Sequence, residues 1–111
     1  MRIFIEDFSD YTIIKLKGRL NVLSSDEFYD RVVEKYNQGT YHYILDLSEL
    51  EYISSCGIRI LYILLNKLGE HDGRLVIGAP NKDLLQIFEL INLSFHFTIV
   101  DTIEEAIVKI K

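Results

Sequence analysis

The sequence predicts an α/β domain with a mixed, mostly parallel sheet of four to five strands and about four helices. Three observations carry that prediction. After an opening pair of β-prone runs, strand-like and helix-like segments alternate to the end of the chain, the pattern of a layered α/β fold. The opening pair is parted only by a short polar break, so one strand runs against the others. No repeat, linker or low-complexity tract divides the 111 residues, and with 49% of them apolar they read as one domain, 1–111, able to bury its own core.

Taken in order, residues 2–6 (RIFIE) and 11–17 (YTIIKLK) read as neighbouring strands or a hairpin, parted by Asp7, Ser9 and Asp10, and Gly18 closes the second. Ser24 with Glu27 three residues on has the spacing of a capping box, and Leu23 with Phe28 that of a hydrophobic staple, so the first helix is expected to start there. Its inward face is Phe28, Tyr29, Val32, Val33 and Tyr36, and Gly39 stops it. Tyr41 to Leu47 is dense enough in apolar residues for a central strand.

The run from Gly57 to Leu68 is a helix pressed onto the sheet, ending near Gly69. "RLVIGA" is the next strand; Pro80 and Asn81 then introduce a helix with Leu84, Leu85, Ile87, Phe88 and Ile91 inward. "HFTIV" is the last strand. Asp101 or Thr102 caps a closing helix through Glu104 or Glu105, and Ile103, Ala106, Ile107 and Ile110 form its buried side.

Composition narrows the function classes. A net charge of −5, with 17 acidic against 12 basic residues and no Lys/Arg cluster, offers nothing to nucleic acid or anionic lipid. A single cysteine cannot form an internal disulfide, and no basic-then-apolar leader or run of 18 apolar residues occurs. The expectation is a cytoplasmic protein with no direct membrane insertion. His42, His71 and His96 lack metal-ligand spacing, and no glycine pattern matches a nucleotide loop, so neither metal nor cofactor is expected. Asp46 and Asp101 read as ordinary caps and turn formers rather than paired acids.

The stretch "LDLSELEYISSCGIRIL", residues 45–61, concentrates the chemistry. Ser54 and Ser55 stand where a buried strand hands over to a helix. One reading is structural: a helix start leaves four N–H groups without intrahelical partners, and a serine oxygen accepts from one. The other is regulatory. The same N–H groups and the helix dipole favour an anion, Gly57 lets the backbone come close, and a phosphate added to a hydroxyl here changes the charge of any docked surface. Cys56 near a helix N-terminus has the setting of an activated thiol, but no histidine is linked to it as a base. A small packed residue is its plainer role.

The strand-loop-helix "ILDLSELEYISSCGIRIL", the closing "IVDTIEEAI" and "GRLN" at 18–21, in this order over roughly residues 3–110, resemble the STAS domain family, and within it the bacterial anti-sigma-factor antagonists. The resemblance implies a non-enzymatic regulator acting by partner switching. Such an antagonist binds an anti-sigma factor that is also a serine kinase, is disabled when that kinase phosphorylates a loop serine, and is restored by a serine phosphatase. The family's phosphoacceptor falls on Ser55; Cys56 takes its Ser/Thr position and Gly57 its glycine. Two departures stand out: Ser54 replaces the loop Asp, and Asn21 stands where an Asp is usual.

The expected docking face is the loop from Ser54 to Arg59, including Ser55, Cys56, Gly57 and Ile58, together with Asn21. Arg59, one helical turn on, is placed to pair with a phosphate on Ser55. The alternative is a non-phosphorylated scaffold subunit of a transporter or a stress-signalling complex, in which the altered loop makes permanent contacts.

Overall fold

The computed structural model describes all residues from Met1 to Lys111. Two strands open the chain, β1 (Arg2–Asp7) and β2 (Thr12–Leu20), followed by helix α1 (Val22–Asn37), strand β3 (His42–Ile53) and helix α2 (Ser55–Gly69). Strand β4 (Arg74–Gly78), helix α3 (Lys82–Leu90), a 3-10 turn (Leu93–Phe95), strand β5 (Thr98–Val100) and helix α4 (Ile103–Ile110) complete it. The five strands lie in the order β1-β2-β3-β4-β5, with β1 antiparallel to β2 and every later pairing parallel. The mixed, mostly parallel α/β architecture is thus as expected from the sequence, with five strands and four helices.

Alternation along β3 explains the layers. Tyr43, Leu45 and Leu47 point to one face, where they join Phe28 and Val32 of α1, Leu61 and Leu64 of α2 and Leu84 and Phe88 of α3 in a core of 20 buried residues. Ile44 points to the other face, where Val76, Val100, Ala106 and Ile110 form a second cluster of six residues beneath α4. Both faces of β3 are covered, which is why its sequence is nearly continuous in apolar residues.

Several local expectations are corrected. Helix α1 begins before Ser24: Asn21 is its N-cap, and Ser24 is the returning member of the capping box, not its start. Leu23 is 85% exposed, so it staples nothing onto Phe28. Gly18 lies inside β2 with φ of 112°, where the β2–β3 register slips, and the strand continues to Leu20. Strand β3 runs six residues past the expected end at Leu47, because Leu50 and Ile53 remain buried beyond the polar Ser48-Glu49 pair. Ile91 is exposed, and β5 starts only at Thr98, after the 3-10 turn.

Candidate functional site

Parallel strands followed by helices put several helix starts at one end of a sheet, and this sequence supplies each with a small polar cap. At α1 the Asn21 side chain accepts from Ser24 N at 3.1 Å, while the Ser24 hydroxyl accepts from Asn21 N at 2.9 Å. That hydroxyl also donates to the Arg19 carbonyl at 2.7 Å. At α2 the Ser54 hydroxyl accepts from Gly57 N at 3.1 Å, and its own backbone N–H donates to Leu20 O at 2.9 Å. At α3 the Asn81 side chain accepts from Leu84 N at 2.9 Å and donates to Leu50 O at 2.8 Å. The Ser54–Leu20 bond ties the start of α2 to the residue before Asn21, so the first two caps share one surface.

Gly57 permits that closeness. A Cβ at this position would stand 2.9 Å from Ile53 and 3.0 Å from Leu20, so α2 can approach the ends of β2 and β3 only with hydrogen there.

The predicted site residues fall as follows. Ser54 is the N-cap, half-buried, with its hydroxyl engaged by Gly57. Ser55 is the first residue of α2 and is exposed, and its hydroxyl makes no hydrogen bond within the chain. Cys56 is a free, half-buried thiol. Gly57 is buried and acts by allowing approach, Ile58 is half-buried against the main core, and Arg59 is exposed. Asn21 is exposed beside them at the head of α1.

Sequence reasoning misses Val22 and Leu23 of the apolar and cationic rim, and reads Tyr52, with Tyr41, Tyr43 and Tyr62, as a core edge more than as an interface tyrosine. Val22 and Leu23 are 64% and 85% exposed at the start of α1, and Tyr52 is exposed near the end of β3. The Arg19 guanidinium lies 4.4 Å from the Tyr52 ring centroid, a cation–π contact between the ends of β2 and β3. A signal was present: Val22 and Leu23 precede the Phe28, Val32 face and do not share its phase. Such a rim with a free hydroxyl beside it suits binding of another protein.

No catalytic arrangement converges here. Neither Ser55 nor Cys56 hydrogen-bonds a titratable side chain, and no group of three or more His, Cys, Asp or Glu residues comes together. Asp46 is neither a cap nor a turn former: it lies inside β3 and accepts from Ser48 N at 3.0 Å, where the register with β2 shifts. No helix is long and apolar enough to cross a membrane.

Comparison with known proteins gives a consistent picture. The family model for the STAS domain matches residues 3–106. A candidate anti-sigma factor antagonist of Bordetella bronchiseptica, BtrV, is 24% identical over 106 residues, covering 96% of this chain and 91% of the relative. The crystal structure of a candidate anti-sigma factor antagonist from Thermotoga maritima superposes with a TM-score of 0.91 at 25% identity, covering 97% of this chain and 93% of that one. The Bacillus cell-fate determinant SpoIIAA, solved in its phosphorylated form, shares the fold with a TM-score of 0.77 at 20% identity, over 99% of this chain and all of the other.

Proposed function

Since this chain belongs to the STAS domain family, we propose that it is an anti-sigma-factor antagonist that binds an anti-sigma serine kinase and loses that partner when Ser55 is phosphorylated. A serine phosphatase returns it to the binding form. One observation carries the reading: Ser55 is exposed at the first position of α2, its hydroxyl uncommitted, while the adjacent Ser54 already supplies the cap.

The physical argument follows from that division of labour. A phosphate on Ser55 sits at a helix N-terminus, where N–H groups and the dipole accommodate negative charge, so the fold tolerates it. The docking rim formed by Leu23, Tyr52 and the head of α2 does not, because new charge and bulk arrive on an apolar contact surface. The two departures from the family pattern also have a consistent meaning. Asn21 and Ser54 keep the hydrogen bonds of capping carboxylates without their charge, so the phosphate meets no like charge at either cap. Arg59 supplies a cation one turn away.

The test is phosphoryl transfer from ATP by candidate anti-sigma kinases of the same cell, read by intact mass. The wild type gains one phosphate and Ser55→Ala gains none. In parallel, wild-type and Ser55→Glu baits are compared by pull-down, and the kinase is retained only by the wild type. A wild type that takes no phosphate, with both baits holding the same partners, overturns the reading in favour of a permanent scaffold subunit.

A further inference from the structure

We propose that the open edge of β1 pairs with the same edge of a second copy of this chain, antiparallel about a two-fold axis at Phe4, joining two sheets into one in a weak dimer. The proposal stands apart from phosphorylation of Ser55, which lies on α2 and not on this edge.

Strand β1 is the outermost strand and is hydrogen-bonded on one side only. Its register with β2 is unbroken from Arg2↔Lys17 to Asp7↔Thr12, so it presents a straight row of outward N–H and C=O groups. The opposite edge, β5, has only three residues.

The sequence of β1 says what fits there. A two-fold axis perpendicular to a sheet keeps each face on its own side, so only residues of like parity stand opposite one another. With the axis at Phe4, Arg2 faces Glu6 of the second copy, Ile3 faces its Ile5, and the two Phe4 rings meet. Moving the axis to Ile3 sets Arg2 against Phe4; moving it to Ile5 sets Glu6 against Phe4 and Asp7 against Ile3. From Arg2 to Glu6 only the Phe4 register matches charge with opposite charge and apolar with apolar, and it leaves Asp7 opposite Met1, which lies outside the strand.

Both charges lack a partner within the chain. The ion pairs are Lys15–Glu49, Lys17–Glu49 and Lys35–Asp7, and Arg2 and Glu6 belong to none of them. Arg2 moreover stands opposite Lys17 across β1 and β2, a like-charge pairing that a neighbouring Glu6 relieves. A charged edge strand commonly deters pairing, but deterrence against a second copy needs like signs at symmetric positions, and here the signs are opposite.

The faces agree as well. Ile3 and Ile5 pack against the main core, so their pairing extends it. Phe4 is 43% exposed on the other face, beside Ile13 and Lys15, with the Arg2 guanidinium 5.4 Å from its ring centroid. Two such rings across the axis form a cross-strand aromatic pair. An edge of six residues buries far less than the roughly 1,200–2,000 Å² of a standard stable interface, so the dimer is weak and concentration-dependent.

Sedimentation velocity of the full chain from micromolar to millimolar concentration tests this. The wild type shifts from monomer to dimer, while Arg2→Glu and Glu6→Arg each remain monomeric. Mixed in equal amounts, the two single variants form a heterodimer, and the doubly exchanged chain, Arg2→Glu with Glu6→Arg, dimerises again. Thermal melts confirm that every variant is folded. A wild type that stays monomeric at millimolar concentration, an Arg2→Glu variant that dimerises as the wild type does, or single variants that fail to associate on mixing overturns the proposal.

Discussion

The two ends of the parallel strands are held together by different chemistry. At the carboxyl ends, neutral side chains bond to backbone: Asn21, Ser54 and Asn81 each receive an N–H from the helix they start. At the amino ends, side chains bond mainly to one another. Lys35 pairs with Asp7, Thr12 donates to Asp7 at 2.8 Å, and the Tyr41 and His71 rings stack at 4.3 Å. Tyr43 is fully buried and donates to the Thr40 carbonyl, and burial raises its phenol well above the usual value. The amino end therefore engages most of its side chains with one another, His42 Nδ1 alone staying buried without a partner, whereas the carboxyl end fixes its backbone and leaves Ser55, Leu23 and Tyr52 facing outward. A surface with a rigid frame and uncommitted side chains is the one suited to recognising another molecule.

The largest effect expected from breaking this contrast is at Gly57. A Val there drives its side chain into Ile53 and Leu20, both buried at the strand ends, and overpacking of this kind costs about 1–3 kcal/mol. Urea unfolding reads the loss, and Gly57→Ala should lose less. Next come the neighbouring serines, which sharpen the contrast within one end. Ser54→Ala removes a cap and should cost about 1 kcal/mol. Ser55→Ala removes an exposed hydroxyl with no partner and should stay within about 0.5 kcal/mol of the wild type. Equal losses at the two positions would erase the distinction between the serine that holds the helix and the one left free.

How far the sequence disclosed this depends on the range of the forces involved. Periodicity identified the layers because burial repeats along each element: the Phe28, Val32 face and the apolar β3 run are visible without coordinates. Ser54 and Ser55, with Gly57 just beyond Cys56, mark the handover to α2 because capping chemistry is local. Three features were not legible. The pattern Ser-x-x-Glu points to Ser24 as the cap of α1, but Asn-x-x-Ser three residues earlier closes a box as well, and the Ser24 hydroxyl is drawn toward the Arg19 carbonyl by the end of β2, a contact made only in the folded chain. The length of β3 was hidden because Ser48 and Glu49 interrupt its apolar run, although Glu49 bridges to Lys15 at 2.7 Å across the sheet surface. The cation–π pair of Arg19 and Tyr52 joins residues 33 positions apart through strand register, which no local pattern encodes.

The smallest loss expected where a bond is broken belongs to the amino end and separates the two chemistries by pH. The hydrogen bond from Lys35, then that from Thr12, holds the Asp7 carboxyl below its ordinary value. A carboxyl whose folded value is depressed contributes stability above its unfolded value, and the contribution is lost as pH falls through the folded one. Asp7→Asn should therefore lower stability at neutral pH, by less than about 1 kcal/mol because the pair is half-exposed and screened by solvent. Variant and wild type should converge as the pH drops from about 4 toward 2. Added salt should shrink the same difference. Ser54→Ala has no titrating group at its bond, so its cost should persist through both changes. Urea midpoints for the two variants along a pH series decide the matter. A Ser54→Ala penalty that fades with acid and salt as Asp7→Asn does would mean that the carboxyl end, too, is held by charge.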